Sequence, residues 1–462
     1  MLVMNIIMAV CFFPIWPVLF FMIRNTKESK KNIIVGVTLP PNTHKDPQVL
    51  VVIKSFTKWL NITMIPLVPL LAIPFFMTLM GAALTFYMVW LLLLIVLPMG
   101  TFAIHREKLM RLKRENNWYS EATEQVQSEV KATVVPTKKI SNIWFFIPTV
   151  ISLLPLIYSL TGTINWDVSA VYITFALMTA LFWPFYYIIF RLRSEVLNEN
   201  ITLTTALTRV RRNNWGKFWL IATWATGLLN PFLLLFEENM TALLVLILGY
   251  TILLIALSIY TEFATRIAQQ KLTQGETSDS YVDEDDHWIW GLFYLNKNDK
   301  HFFVNDRIGM NMSCNLAKPA GKVLMIFAVL CLVLMPFFGI WMWIEEITPV
   351  RLVLTDTTLT ARSTGLYTYT IKLSDINSVE LVDEMPLILS RNDGFGSANL
   401  LKGRFTASHL GTVFLSVQPN DPPFLVIVAA DRTYIVNDAD SAKTREVYRF
   451  IWDWGVDYST KN

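Results

Sequence analysis

Eight apolar blocks of about twenty residues each leave this chain little choice of architecture. They lie at 2–23, 61–80, 82–104, 143–161, 168–190, 218–236, 241–263 and 322–344. A helix rises about 1.5 Å per residue, so roughly 20 apolar residues cross a hydrocarbon layer about 30 Å thick. Inside that layer the backbone must bond to itself, which favours helices. Composition agrees: only 16% of the 462 residues are charged, against about 25% in soluble domains. The sequence predicts an α-helical polytopic membrane bundle of about eight transmembrane helices, followed by a polar C-terminal region.

Basic residues predict the orientation. The connections at 24–60, 105–142, 191–217 and 264–322 hold 28 of the 39 Lys and Arg residues. The opposite connections hold none, and short basic loops stay in the cytoplasm. The first block has no basic residue before it and Arg24, Lys27, Lys30 and Lys31 after it. That pattern predicts a retained helix rather than a cleaved signal. The expected protein is a multi-pass plasma-membrane protein with its N-terminus outside and, after eight crossings, its C-terminal region outside too. Partners follow from composition: a lipid bilayer is required, and no basic cluster supports nucleic-acid binding. Cys11, Cys314 and Cys331 all lie outside the C-terminal region, so no disulfide framework is expected there.

The expected organisation is a first helix at 1–23, a cytoplasmic loop at 24–60, further membrane helices within 61–263, a second cytoplasmic segment at 264–321, a last helix at 322–344 and a separate domain at 347–456. Charges at i, i+4 after His105 predict that the third membrane helix continues into water. Residues 119–140 are polar and read as a linker. From Val350 the period changes. Arg351–Ala361, Tyr367–Leu373, Gly411–Val417 and Phe424–Val428 are rich in β-branched and aromatic residues, which predicts strands. Val447, Phe450, Ile451 and Trp454 share a helical spacing and predict one amphipathic closing helix.

Ionisable side chains inside a membrane usually mark ion pathways or catalysis, and the eight apolar cores contain none; Glu262 and Asp167 stand at edges. Prolines are frequent instead, which predicts kinked helices. Asn230, followed by Pro231, is the most polar residue within a block, and a transport path would be expected to leave a hydrated cavity beside it. No Walker loop, G-x-S-x-G, H-E-x-x-H or C-x-x-C occurs. Catalytic, cofactor-binding and metal-binding residues are therefore not assigned, and no enzyme or cofactor is expected.

Two arginine-tryptophan clusters, Arg111, Arg114 and Trp118, then Arg209, Arg212 and Trp215, resemble one another and read as interfacial anchors. The segment Asp283-Glu-Asp-Asp-His287 has ligand-type side chains, but four consecutive acids cannot all point at one ion, so it reads as a solvated acidic lead-in. Behind it, two strands are expected at Trp288–Leu295 and His301–Val304, joined by an Asn-rich turn. Trp288, Trp290, Phe293, Tyr294, Asn296, Asp299, Arg307 and Asn315 form the candidate interaction surface.

Asp286-His-Trp-Ile-Trp-Gly-Leu-Phe-Tyr-Leu-Asn-Lys-Asn-Asp299, with Phe303-Val-Asn-Asp-Arg-Ile-Gly309 and Asn315-Leu-Ala-Lys-Pro319, resembles a short domain of unknown function. That domain recurs in multispanning membrane proteins of Bacillus-like Firmicutes. Val35-Gly-Val-Thr-Leu-Pro40 with Asp46 is similar to another, found also in the membrane immunity protein for the Bacillus sporulation-delaying toxin; its usual F-G-V reads Val-Gly-Val here. Leu373–Leu381, Asp383–Pro386, Asn392–Gly396, Gly403–Phe405 and Tyr434–Asn437 resemble a bacterial pleckstrin-homology-like domain. The resemblances imply a seven-stranded barrel capped by the final helix, no enzymatic activity, and a protein that senses or gives immunity to an extracellular peptide or envelope stress. A partner membrane protein is the other binding expectation. A transporter or flippase for an apolar or lipid substrate, or a scaffold, is the competing reading.

Overall fold

The computed structural model describes residues 2–29, 32–119, 139–159, 166–191, 201–236, 240–273, 283–308, 312–364 and 367–461. Much of the linker expected at 119–140 lies outside them, as do residues 274–282. The helices are α1 Leu2–Phe12, α2 Ile15–Arg24, α3 Pro47–Met64, α4 Leu67–Leu70, α5 Met80–Glu115, α6 Ile143–Ile151, α7 Leu154–Ser159, α8 Trp166–Arg191, α9 Ile201–Leu233, α10 Met240–Thr273, α11 Pro319–Ile347 and α12 Ser441–Lys461.

Among the described residues seven helical stretches are long and apolar enough to cross a membrane: Met4–Lys27, Pro47–Phe76, Met80–Glu115, Val171–Phe190, Thr202–Phe236, Val245–Thr273 and Pro319–Ile347. Seven of the about eight expected crossings are thus present as long apolar helices. The difference is the block at 143–161, which forms the shorter apolar stretch Ile143–Tyr158. Its 16 residues reach about 24 Å. Pro155 has no N–H for the Ile151 carbonyl, and the chain breaks between α6 and α7 at that point.

Boundaries also move where a helix starts in water. Asp46 caps α3 by accepting from the Gln48 N–H at 2.8 Å, with Pro47 at the first helical position. α3 therefore begins in the helix-like stretch before Trp59 and runs into the block at 61–80, ending at Met64. The polar continuation of the third span is present: α5 runs unbroken for 36 residues, roughly 54 Å, well beyond a hydrocarbon core.

The described chain groups into two units: Met1–Ile6 with Leu71–Trp90 and Val333–Asn462, and Ile7–Leu70 with Leu91–Leu332. In the first, the start of α5 meets the end of α11 through glycine. A Cβ on Gly81 would strike the Trp343 backbone, and one on Gly339 would lie 2.6 Å from Thr85 Cα. Small residues at such crossings let backbones approach closely. Glu346 Oε2 accepts from the Gly81 N–H at 2.7 Å, and Lys402 pairs with the buried Glu345.

Among the described residues the C-terminal region of this unit has nine strands. β7 Arg351–Leu354, β8 Thr358–Arg362 and β9 Tyr369–Lys372 form a three-stranded antiparallel sheet. β10 Ile376–Val382, β11 Ile388–Gly396, β12 Leu401–Ala407, β13 Gly411–Val417, β14 Phe424–Ala429 and β15 Arg432–Val436 form a six-stranded sheet ordered β10-β14-β15-β13-β12-β11. Its strands pair antiparallel except β13 with β15. Alternation buries Leu352, Leu359, Ile371, Leu425 and Ile427 in one core with Val447 and Ile451 of α12. Phe450, expected on the same helical face, is exposed; Val447 and Ile451, one turn apart, carry the contact together with the half-buried Tyr448. The side chain of Trp454 lies outside the described residues.

Candidate functional site

The second unit gathers three segments that are far apart in sequence. In the first connection, β1 Ile33–Ile34 pairs antiparallel with β2 Val37–Thr38 across a two-residue turn. Val35 and Gly36 both have positive φ, 43° and 75°, as such a turn requires. The second segment is the polar C-terminal end of α5. The third begins at Asp283.

These segments meet on one carboxylate. Asp285 is buried, and its Oδ2 accepts from the Thr38 N–H at 3.0 Å while Oδ1 accepts from the Thr38 hydroxyl at 3.0 Å. Lys113 donates to Asp285 at 2.5 Å and to Asp283 at 2.5 Å. Arg307 pairs with the other Asp285 oxygen and donates to the Gly36 carbonyl at 2.8 Å. Arg106 donates to the Asp285 carbonyl at 3.0 Å. The Lys113 side chain is wholly buried. A solvated lead-in is therefore the wrong description of this acid, whereas Asp286 beside it is exposed.

Burial alone would raise the Asp285 carboxyl, but Arg307 and Lys113 outweigh it and hold the group below the usual carboxylate range. Burial, and then the charge of Asp285, push Asp283 the other way, above that range. The two acids share Lys113, and Asp285 holds the stronger claim because Arg307 and Thr38 also serve it.

Phe102 explains both motif glycines. Its ring is fully buried, and a Cβ on Gly36 would approach Phe102 Cζ to 2.6 Å, one on Gly291 Phe102 Cε1 to 3.0 Å. Gly36 and Gly291 both have positive φ. Bare backbone is thus needed twice against one aromatic ring, each time at a turn conformation that side chains disfavour.

The expected strand at Trp288–Leu295 is itself a hairpin: β3 Trp288–Ile289 pairs with β4 Phe293–Tyr294. The positive φ of Trp290 and Gly291 makes the turn. The other strand, β5 Phe303–Val304, pairs with β6 Ser313–Cys314. Most of the candidate interaction residues build this fold. Trp288, Tyr294 and Asn315 are buried, and Arg307 lies over the Trp288 ring at 5.4 Å. Asn315 Oδ1 accepts from the Asn296 N–H at 3.1 Å, and its amide donates to the Asn296 carbonyl at 2.7 Å. Tyr294 donates its hydroxyl proton to Asp299 at 3.0 Å. Trp290 is exposed and Phe293 half-buried.

The two arginine-tryptophan clusters are not equivalent. Arg111 and Arg114 are exposed near the end of α5, and Asn117, at φ 54°, turns the chain before Trp118. Arg209, Arg212 and Trp215 sit within α9. Trp215 donates to Glu262 at 3.1 Å, and Arg212 lies over the Phe190 ring. Glu262 is buried and also pairs with Arg211 and Arg266. Asn230 is fully buried too, donating to the Ser152 carbonyl at 2.7 Å and the Tyr172 carbonyl at 3.0 Å. It fastens neighbouring helices at the place where a transport path was expected.

Beside the hairpin lies a groove of about 900 Å³. Met99 and Ile104 of α5, Trp290 and Phe293 of the hairpin, and Met325 and Val329 of α11 line it. Its ionisable lining residues are Glu107, Lys108, Arg111 and Asp306. Glu107 accepts from Arg106 at 2.8 Å. Among the described residues no group of three His, Cys, Asp or Glu side chains could hold a metal ion. Sequence reasoning missed Thr38, Phe102, Arg106 and Lys113, whose roles depend on contacts across the fold. Comparison with protein-family models, with curated proteins and with solved structures finds no match for this chain.

Proposed function

We propose that this chain is a non-enzymatic plasma-membrane protein that senses, or gives immunity to, an extracellular peptide or envelope stress. The observation that carries the reading is the convergence on Asp285. The loop that resembles the immunity protein and the aromatic hairpin were separate features of the sequence; here they share one buried carboxylate with α5. A perturbation of α5 within the membrane would thus reach both segments at once. The shared group offers hydrogen bonds and charge compensation, which suit coupling better than bond-making.

The basic connections at 105–142 and 191–217 both read as cytoplasmic, so an even number of crossings must separate them. Ile143–Tyr158 then counts as a short crossing ahead of α8. This supports an extracytoplasmic N-terminus and C-terminal region. A β region followed by one packed helix supports reading it as pleckstrin-homology-like, although its strands form a three-stranded and a six-stranded sheet rather than the seven-stranded barrel that the resemblance implied.

Deleting the gene and challenging cells with membrane-active peptides tests the proposal. Higher sensitivity, restored by the wild-type gene, is expected. Unchanged sensitivity together with unchanged envelope-stress reporters would sink it.

A further inference from the structure

The groove beside the hairpin has a polarity gradient that matches a particular kind of molecule. From Ile95 to Arg111 it follows α5 for roughly 24 Å at 1.5 Å per residue. One leaflet of a bilayer, headgroups included, measures about 20–22 Å. Its walls at Ile95, Met99, Met325, Val329 and Leu332 are apolar, and its ionisable residues are Glu107, Lys108 and Arg111 at the far end of α5 and Asp306 in the connection between β5 and β6. Lys108 and Arg111 stand three residues apart, on one helix face. Both are exposed, and among the described residues neither has a carboxylate partner. Glu107 is already engaged by Arg106.

We infer that this groove binds an anionic glycerophospholipid, with its acyl chains along Met99, Ile104, Met325 and Val329 and its phosphate on Lys108 and Arg111. Apolar walls take the chains because they bury against methyl and thioether groups. A cation pair at one end only fixes the direction in which the lipid lies. The inference needs the chain to be a membrane protein; it does not depend on what the protein senses.

The test uses full-length protein, stripped of lipid by detergent exchange and titrated with phosphatidylglycerol or phosphatidylcholine under native mass spectrometry. Each cation near an anionic headgroup is worth about fivefold, so two predict a preference for phosphatidylglycerol on the order of 30-fold. Lys108→Gln with Arg111→Gln should abolish that preference while leaving thermal unfolding unchanged, since both side chains are exposed. Ala328→Trp, which fills the groove, should weaken both lipids. A photoactivatable phosphatidylglycerol should label peptides containing Met99–Ile104 and Met325–Leu332. Equal binding of the two lipids, an unaltered preference in the double variant, labelling confined to other helices, or displacement of lipid by inorganic phosphate alone would each overturn the inference.

Discussion

Asp285→Asn is the sharpest perturbation of the structure. It removes one charge and little volume, and it leaves the buried cations Lys113 and Arg307 without their shared counter-ion. Taking one partner from a buried ion pair costs about 3–5 kcal/mol, because the remaining charge stays desolvated. Lys113 keeps Asp283 and Arg307 keeps the Gly36 carbonyl, so the lower end, about 3 kcal/mol, is expected. The control is one residue away. Asp286 is exposed, and Asp286→Asn should fall within about 0.5 kcal/mol of wild type. Denaturant unfolding in detergent micelles reads both, with Trp288 beneath Arg307 as a local fluorophore. Equal midpoints for the two variants would refute the reasoning.

Four further outcomes are expected. Because the folded carboxyl of Asp285 is depressed, its stabilisation is present above its unfolded value near 3.9 and is lost as pH falls through the lower folded value; the gap between wild type and Asp285→Asn should close over that acid range. Asp283 is raised, so its contribution has the opposite sign and Asp283→Asn should cost less at neutral pH than Asp285→Asn. Gly36→Ala would place a methyl 2.6 Å from Phe102 at a positive φ, and a loss of about 1–3 kcal/mol in the same unfolding assay is expected. Asn230→Ala removes two buried hydrogen bonds and should lower stability by about 1–3 kcal/mol, measured as a lower midpoint of thermal inactivation in micelles.

The membrane helices were legible because burial in lipid demands long uninterrupted apolar runs, which neighbouring residues reveal by themselves. The block at 143–161 looked the same by composition, but Pro155 removes a hydrogen bond that composition does not weigh. The hairpin was placed correctly and divided wrongly. Trp288–Leu295 has the aromatic content of a strand, and only the backbone at Trp290 and Gly291 shows that it reverses direction. Asp285 was hidden for a different reason. Four consecutive acids are alike in sequence, and what singles one out is Thr38, 247 residues away, and Lys113, 172 residues away. Phe102 was equally silent, being one aromatic residue among many in an apolar helix. The two motif glycines were visible, yet not the ring they both border.

Hydrogen exchange at the first connection measures the coupling between loop and hairpin most directly. The Thr38 N–H donates to Asp285, and among the described residues the strands Ile33–Ile34 and Val37–Thr38 form a sheet with each other alone. In Asp285→Asn, peptides spanning 33–39 should exchange markedly faster than in wild type, while Asp286→Asn leaves them unchanged. If those peptides exchange at the wild-type rate in Asp285→Asn, the carboxylate does not join the two segments and the account fails.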